Sequence, residues 1–334
     1  MIFKVLLIGF GKIANAYKYD VAMSKYYEYS THLKVLQDNP KLSLVGVVDK
    51  NPSVQIEVAK IDDNIQFFQS IDEEQINKLN IDIVVVCSDH HNRIEILKKF
   101  PNVAGILIEK PLASSNQELS LLDSYLSGNN IPIQVNLWRR SDIFFRSLID
   151  KGILNELVGE ILHVNVVYGN GVLNNGIHML DFVLMLLDDP KNFNLIGKTR
   201  AYQSFQKVIG NDENISFHIE IENKVIANFN AINFLCFREN AIELWGTKGN
   251  LRIFNEGLTI QHSNLEINRA MQGEKEIAFD CPKRVKSTVG SALYNVYENL
   301  ISVIEGSSQQ KGLNSGYELA LISERFIHNL LEDF

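Results

Sequence analysis

The sequence predicts an α/β protein. A doubly wound, mainly parallel sheet fills the N-terminal part, and an α+β region with a large open, mainly antiparallel sheet follows. Three observations carry this. Short, mainly apolar runs at residues 5–8, 42–48, 81–87, 103–108 and 132–137 alternate with helical stretches, as parallel strands buried on both faces do. The first run stops at Gly9-Phe10-Gly11-Lys12-Ile13-Ala14. Beyond Phe182 the chain reads as long strands whose polarity partly alternates. At 334 residues and 46% apolar content, two domains with sizeable cores are expected, 1–135 and 136–334.

Taken in order, the strand at 5–8 leads into a G-x-G-x-x-A turn of the dinucleotide-binding kind. Gly9 permits the tight turn, Gly11 lets the backbone approach a pyrophosphate, and Ala14 lets the next helix pack on the strand. That helix start offers amides to the phosphates. Residues 9–14 are therefore candidate cofactor ligands: Gly9, Phe10, Gly11, Lys12, Ile13 and Ala14. A Tyr- and Lys-rich stretch follows to Ser30, then a helical stretch from Thr31 and the second strand, which ends in Asp49. Asp49 reads as a turn residue in Asp-Lys-Asn-Pro or as the acid that holds an adenosine ribose, and the upstream glycines favour the latter. It lies beyond the expected spacing of about 20 residues, which an insertion around Tyr17 to Ser30 accounts for. An acid here favours NAD by charge; Lys50 beside it keeps NADP open.

Ser88-Asp89-His90-His91 follows the strand at 81–87, at the end of a strand where ligands sit in open α/β sheets, so Ser88 and His91 join the cofactor candidates. Glu109-Lys110-Pro111 follows the strand at 103–108 at the same edge. Alone, Lys110 reads as a solvated loop lysine. Partly desolvated there, it is a candidate acid or base. Helices are expected at about 115–127, 291–304 and 315–332, and later strands at 200–208, 215–221, 225–232, 241–245, 251–254 and 258–261. The open sheet leaves an apolar face that pairing of subunits would cover.

The charge of −8 without a dense basic cluster argues against nucleic acid and an anionic membrane surface. No apolar run approaches membrane-spanning length. Three cysteines, none in a C-x-x-C pair, suggest neither zinc nor a disulfide framework, and fit reduced thiols in the cytoplasm.

The glycine turn, the Asp-ended second strand and Glu109-Lys110-Pro111, with Gly169-Asn170-Gly171 running into His178-Met179-Leu180-Asp181 and Glu243-Leu244-Trp245-Gly246 later on, resemble the glucose–fructose oxidoreductase / inositol dehydrogenase / MocA (Gfo/Idh/MocA) family. The similarity runs in order over nearly the whole chain. It implies a Rossmann NAD(P)-binding domain and a substrate-binding, oligomerising second domain, with homodimers or homotetramers formed through the open sheet. It implies hydride transfer between a nicotinamide and a hydroxyl-bearing carbon of a sugar, sugar derivative or polyol, in a cleft between the domains, without a metal. Lys110 and His178 fall on the family's catalytic lysine and histidine, Glu109 and Lys110 also lie beside the cofactor, and the Lys110–Pro111 bond is implied to be cis. Where many members carry an aspartate four residues before the histidine, this chain has Asn174, which can orient a hydroxyl but not take its proton. Asn175, Tyr168 and Arg140 are further candidate substrate contacts; Arg139 and Arg140 equally suit pairing with acids between the domains. A non-catalytic nucleotide-binding regulator on the same fold is the rival reading.

Overall fold

Phe3–Ile8 forms the first strand (β1) and sends alternate side chains into two separate cores, Val5 and Leu7 on one face, Leu6 and Ile8 on the other. Burial on both faces is why the run shows no polar alternation. A computed structural model describes residues 1–91, 93–200, 212–235, 237–306 and 312–332. The described residues form two units: Met1–Ser141 with residues 290–332, and Asp142–Val289.

In the first unit β1, β2 (Leu42–Val48), β3 (Gln66–Phe68), β4 (Ile83–Val86), β5 (Gly105–Ile108) and β6 (Ile133–Val135) make a six-stranded sheet in the order 3-2-1-4-5-6, with every pairing parallel. Helices His32–Asp38, Val54–Ala59 and Ala292–Ile304 cover one face. Arg93–Lys99, Asn116–Leu126 and Tyr317–Glu332 cover the other. The expected division at 135/136 had put the last two helices in the second domain. They instead complete the two covering layers here, because helices of only 7 and 6 residues leave the β1–β2 face under-covered.

One long helix does not follow the glycine turn. Gly11 O accepts from Asn15 N and Lys12 O from Tyr17 N, both at 3.0 Å, and then the chain departs through short helical segments at Ala16–Tyr19 and Val21–Tyr26. The helix resumes at His32, whose amide bonds Ile13 O at 3.0 Å, and Leu33 N bonds Ala14 O at 2.9 Å. Residues 17–31 are thus spliced into a helix whose two stumps stay hydrogen-bonded. That excursion separates Asp49 from the glycines in sequence but not in the sheet.

The second unit holds β7 (Ile161–Tyr168), β8 (Phe193–Arg200), β9 (Ile215–Ile221), β10 (Val225–Ala231), β11 (Ala241–Gly246), β12 (Gly249–Phe254), β13 (Thr259–Ile267), β14 (Lys275–Ile277) and β15 (Lys283–Val285). Their order is 14-13-12-11-7-10-9-8, with β15 on β13, and only β7 and β10 run parallel. The strand expected at 200–208 lies, past Arg200, outside the described residues. Helix Ile177–Leu186 packs against β7, and every one of its residues except His178 is buried. The opposite face is less apolar than expected: His163, Asn165, Asn228 and His218 form a hydrogen-bonded ladder across β7, β10 and β9. Among the described residues no helix is long and apolar enough to cross a membrane.

Candidate active site

The ends of β1, β4 and β5, three neighbouring parallel strands, bring Gly9, Ser88 and Lys110 to one edge of the first sheet. Gly9 has φ +87°, and a Cβ there would stand 2.5 Å from Ser88 N, so the turn is pressed onto the chain leaving β4. Gly11 is exposed and a Cβ on it would meet open space. Asp49, at the end of β2, accepts from Phe10 N at 2.7 Å through one oxygen and from Asn51 N at 2.9 Å through the other. It therefore fulfils the turn role and also braces the glycine turn. Lys12, Lys50 and His91 are exposed, Ile13 and Ser88 half-buried, and Phe10 and Ala14 buried.

Lys110 is half-buried, and its bond to Pro111 is cis, as the resemblance implies. The residues on either side are fixed by buried polar side chains. Glu109 accepts from His32 Nε2 at 2.9 Å and Asn136 Nδ2 at 2.5 Å. Burial pushes its carboxyl up, but His32, Asn136 and the Lys110 charge outweigh this and leave it below the usual range. Arg93 Nη2 donates to the carbonyls of Ser88 and Pro111, each at 3.3 Å. Glu324, from the last helix, accepts from Leu112 N at 2.5 Å and Ala113 N at 3.4 Å. Burial pushes its carboxyl up to about 7, above the ordinary 4.5. The folded state then holds a proton that the unfolded chain releases, so this contribution is full below about 4.5 and lost as pH rises through about 7. Glu324→Gln should flatten that dependence: between those limits wild-type unfolding free energy should fall relative to the variant by about 3 kcal/mol, read from urea unfolding.

In the second unit, Gly171 has φ +93° and faces the carboxylate of Asp212, whose Oδ2 would lie 1.8 Å from a Cβ. Asp212 accepts from Leu173 N and Asn174 N, both at 2.9 Å. The π-type turn Val172–Gly176 then delivers His178 as the second residue of its helix, half-buried. Asn174 is half-buried as well, so the carboxylate absent from its side chain is met at its backbone by Asp212. Tyr168 is 0% exposed and its hydroxyl donates to Ile215 O, which corrects its expected place as a substrate contact; it supports the turn from below. Asn175 is buried, with its amide on Gly169 O at 2.7 Å, and Arg140 is 1% exposed. Both are better read as supports of the fold than as substrate contacts.

Residues 3–137 match the oxidoreductase family with an NAD-binding Rossmann fold, and residues 163–252 match the GFO/IDH/MocA C-terminal domain. The chain belongs to the GFO/IDH/MocA family. Solved structures of similar fold include a dehydrogenase (MviM) from Clostridium difficile, 17% identical, covering 99% of both chains with a TM-score of 0.71. The super-repressor mutant of Gal80p from Saccharomyces cerevisiae is 12% identical over 99% of this chain and 96% of that one, with a TM-score of 0.74. UDP-N-acetylglucosamine 3-dehydrogenase GnnA from Acidithiobacillus ferrooxidans is 14% identical over 98% and 96%, with a TM-score of 0.70. A comparison with curated protein sequences gave no match.

The first unit of this GFO/IDH/MocA chain fits the dinucleotide its fold implies. Open space over Gly11 admits a pyrophosphate, and a carboxylate that already accepts two amides retains capacity for ribose hydroxyls at Asp49. Sequence reasoning missed His32, Arg93, Glu324 and Asp212. For His32 a signal existed: once residues 17–31 are looped out, it falls in the helix after the glycine turn. The others are brought in by long-range packing and carry no local signal.

Proposed function

We propose that this chain is an NAD(P)-dependent dehydrogenase or reductase acting on a hydroxyl-bearing carbon of a sugar, a sugar derivative such as a nucleotide-linked one, or a polyol. The observation that carries the reading is Lys110, partly buried and fixed on both sides, on the same strand edge as the glycine turn. His178, the one residue of its helix left unburied, supports it from the second unit. A bound nicotinamide supplies the hydride acceptor or donor. Lys110 takes the hydroxyl proton in oxidation and returns it in reduction. His178, at the start of its helix, is proposed as a second proton carrier, since an imidazole changes charge near neutral pH. Asn174 orients the substrate. The GnnA likeness is consistent with a nucleotide-linked sugar.

The test is to incubate the protein with NAD⁺ and, separately, sugars, polyols and nucleotide sugars, and to seek by mass spectrometry a product lacking two hydrogens. Such a product supports the reading, and none across all classes, in either direction, removes it. The rival, a non-catalytic regulator, draws on Asn174 and on the fold shared with Gal80p; it expects nicotinamide binding without turnover. For the cofactor, NAD should bind more tightly than NADP, and Asp49→Ala should weaken NAD about tenfold or more in a fluorescence titration, since hydrogen bonds to a charged group contribute about 1.5–3 kcal/mol. Equal NAD affinity in that variant would remove the ribose assignment.

A further inference from the structure

Behind Lys110 lies a buried polar chain that neither proton carrier uses. His32 is 0% exposed. Its Nδ1 is 2.7 Å from the Tyr297 hydroxyl and its Nε2 is 2.9 Å from Oε1 of Glu109. Tyr297 is fully buried, and burial pushes its hydroxyl well above the ordinary range, so it stays a donor. A neutral imidazole then satisfies every group: Tyr297 O–H donates to Nδ1, and Nε2–H donates to the carboxylate. His32 is also the residue at which the helix resumes after the excursion, pinned by its own amide to Ile13 O.

We propose that His32 is a positioning residue, one that keeps Glu109 a fixed carboxylate against Lys110 and thereby sets the pH at which Lys110 gains and loses its proton. This rests on the reading of Lys110 as a proton carrier. The other groups around the pair are the Cys87 thiol, held neutral by burial, the Arg93 guanidinium, and Glu324. His32 and Asn136 each donate a side-chain hydrogen bond to Glu109. Without the imidazole, the buried carboxyl loses one of these donors and takes up a proton more readily. A neutral Glu109 no longer favours the ammonium, so Lys110 deprotonates at lower pH.

Competitive acetylation of the full-length protein across a pH series, with the Lys110 peptide quantified by mass spectrometry, reads this without any substrate. His32→Leu should lower the Lys110 midpoint by about one pH unit. Tyr297→Phe should lower it by less, and carries the test should His32→Leu not fold. His32→Gln, whose amide can still donate to Glu109, should stay near wild type. The lysine limb of the pH–rate profile should move in the same direction while NAD affinity holds. A wild-type midpoint in folded His32→Leu, or in Tyr297→Phe where only that variant folds, overturns the proposal. Full turnover by Lys110→Met overturns instead the role of Lys110, and leaves the labelling result to be judged separately.

Discussion

Lys110→Met should lower kcat by about 10²–10⁴-fold, the usual contribution of a positioned acid–base group, and leave NAD binding in place. Methionine keeps the length and apolar stem of lysine and removes the proton. The neighbours that shape the loop do not depend on the ammonium: Glu109 is held by His32 and Asn136, Pro111 O by Arg93, and the amides of Leu112 and Ala113 by Glu324. The loss should therefore fall on chemistry. Steady-state turnover and an NADH titration on one preparation check both halves. A variant that loses NAD binding along with turnover would mean that Lys110 serves the cofactor first.

The two glycines of the turn should respond in opposite ways. Gly9→Ala meets backbone, with Cβ 2.5 Å from Ser88 N and 2.8 Å from Cys87 C, at φ +87°. Left-handed strain of about 1–2 kcal/mol adds to overpacking of about 1–3 kcal/mol, so the variant should lose about 3 kcal/mol of stability. Cofactor binding should fall with it, because β1 and β4 must move apart. Gly11→Ala places its methyl in open space. Its stability should match wild type while NAD affinity falls, since the methyl occupies the room through which a pyrophosphate approaches. Denaturant unfolding and NADH titration of the pair separate the roles. Equal loss of stability in both variants would contradict the division of labour between turn and cradle.

The first sheet was legible because its strands are buried on both faces, so Val5-Leu6-Leu7-Ile8 and Ile83-Val84-Val85-Val86 carry their own signature. The glycine turn and Lys110 were legible as residue types at strand ends. The excursion was visible only as an awkward spacing before Asp49; its closure needed the bonds from His32 and Leu33 back to Ile13 and Ala14. The last helices were found as helices but placed with the wrong sheet, since an amphipathic stripe does not say what it packs on. Tyr168 misled because its hydroxyl, a plausible contact in sequence, spends itself on Ile215 O inside the core. Asp212 and Glu324 act on backbone amides far away in the chain, and nothing near them in sequence marks that.

The most direct measurement follows nicotinamide absorbance with wild-type protein and Lys110→Met side by side, using NAD⁺ and then NADH with metabolite extract from the source cells. Wild type should turn over in at least one direction and the variant should lose nearly all turnover, with NADH bound by both. Tight nicotinamide binding by both proteins without turnover in either direction would contradict this and leave a nucleotide-binding regulator as the reading.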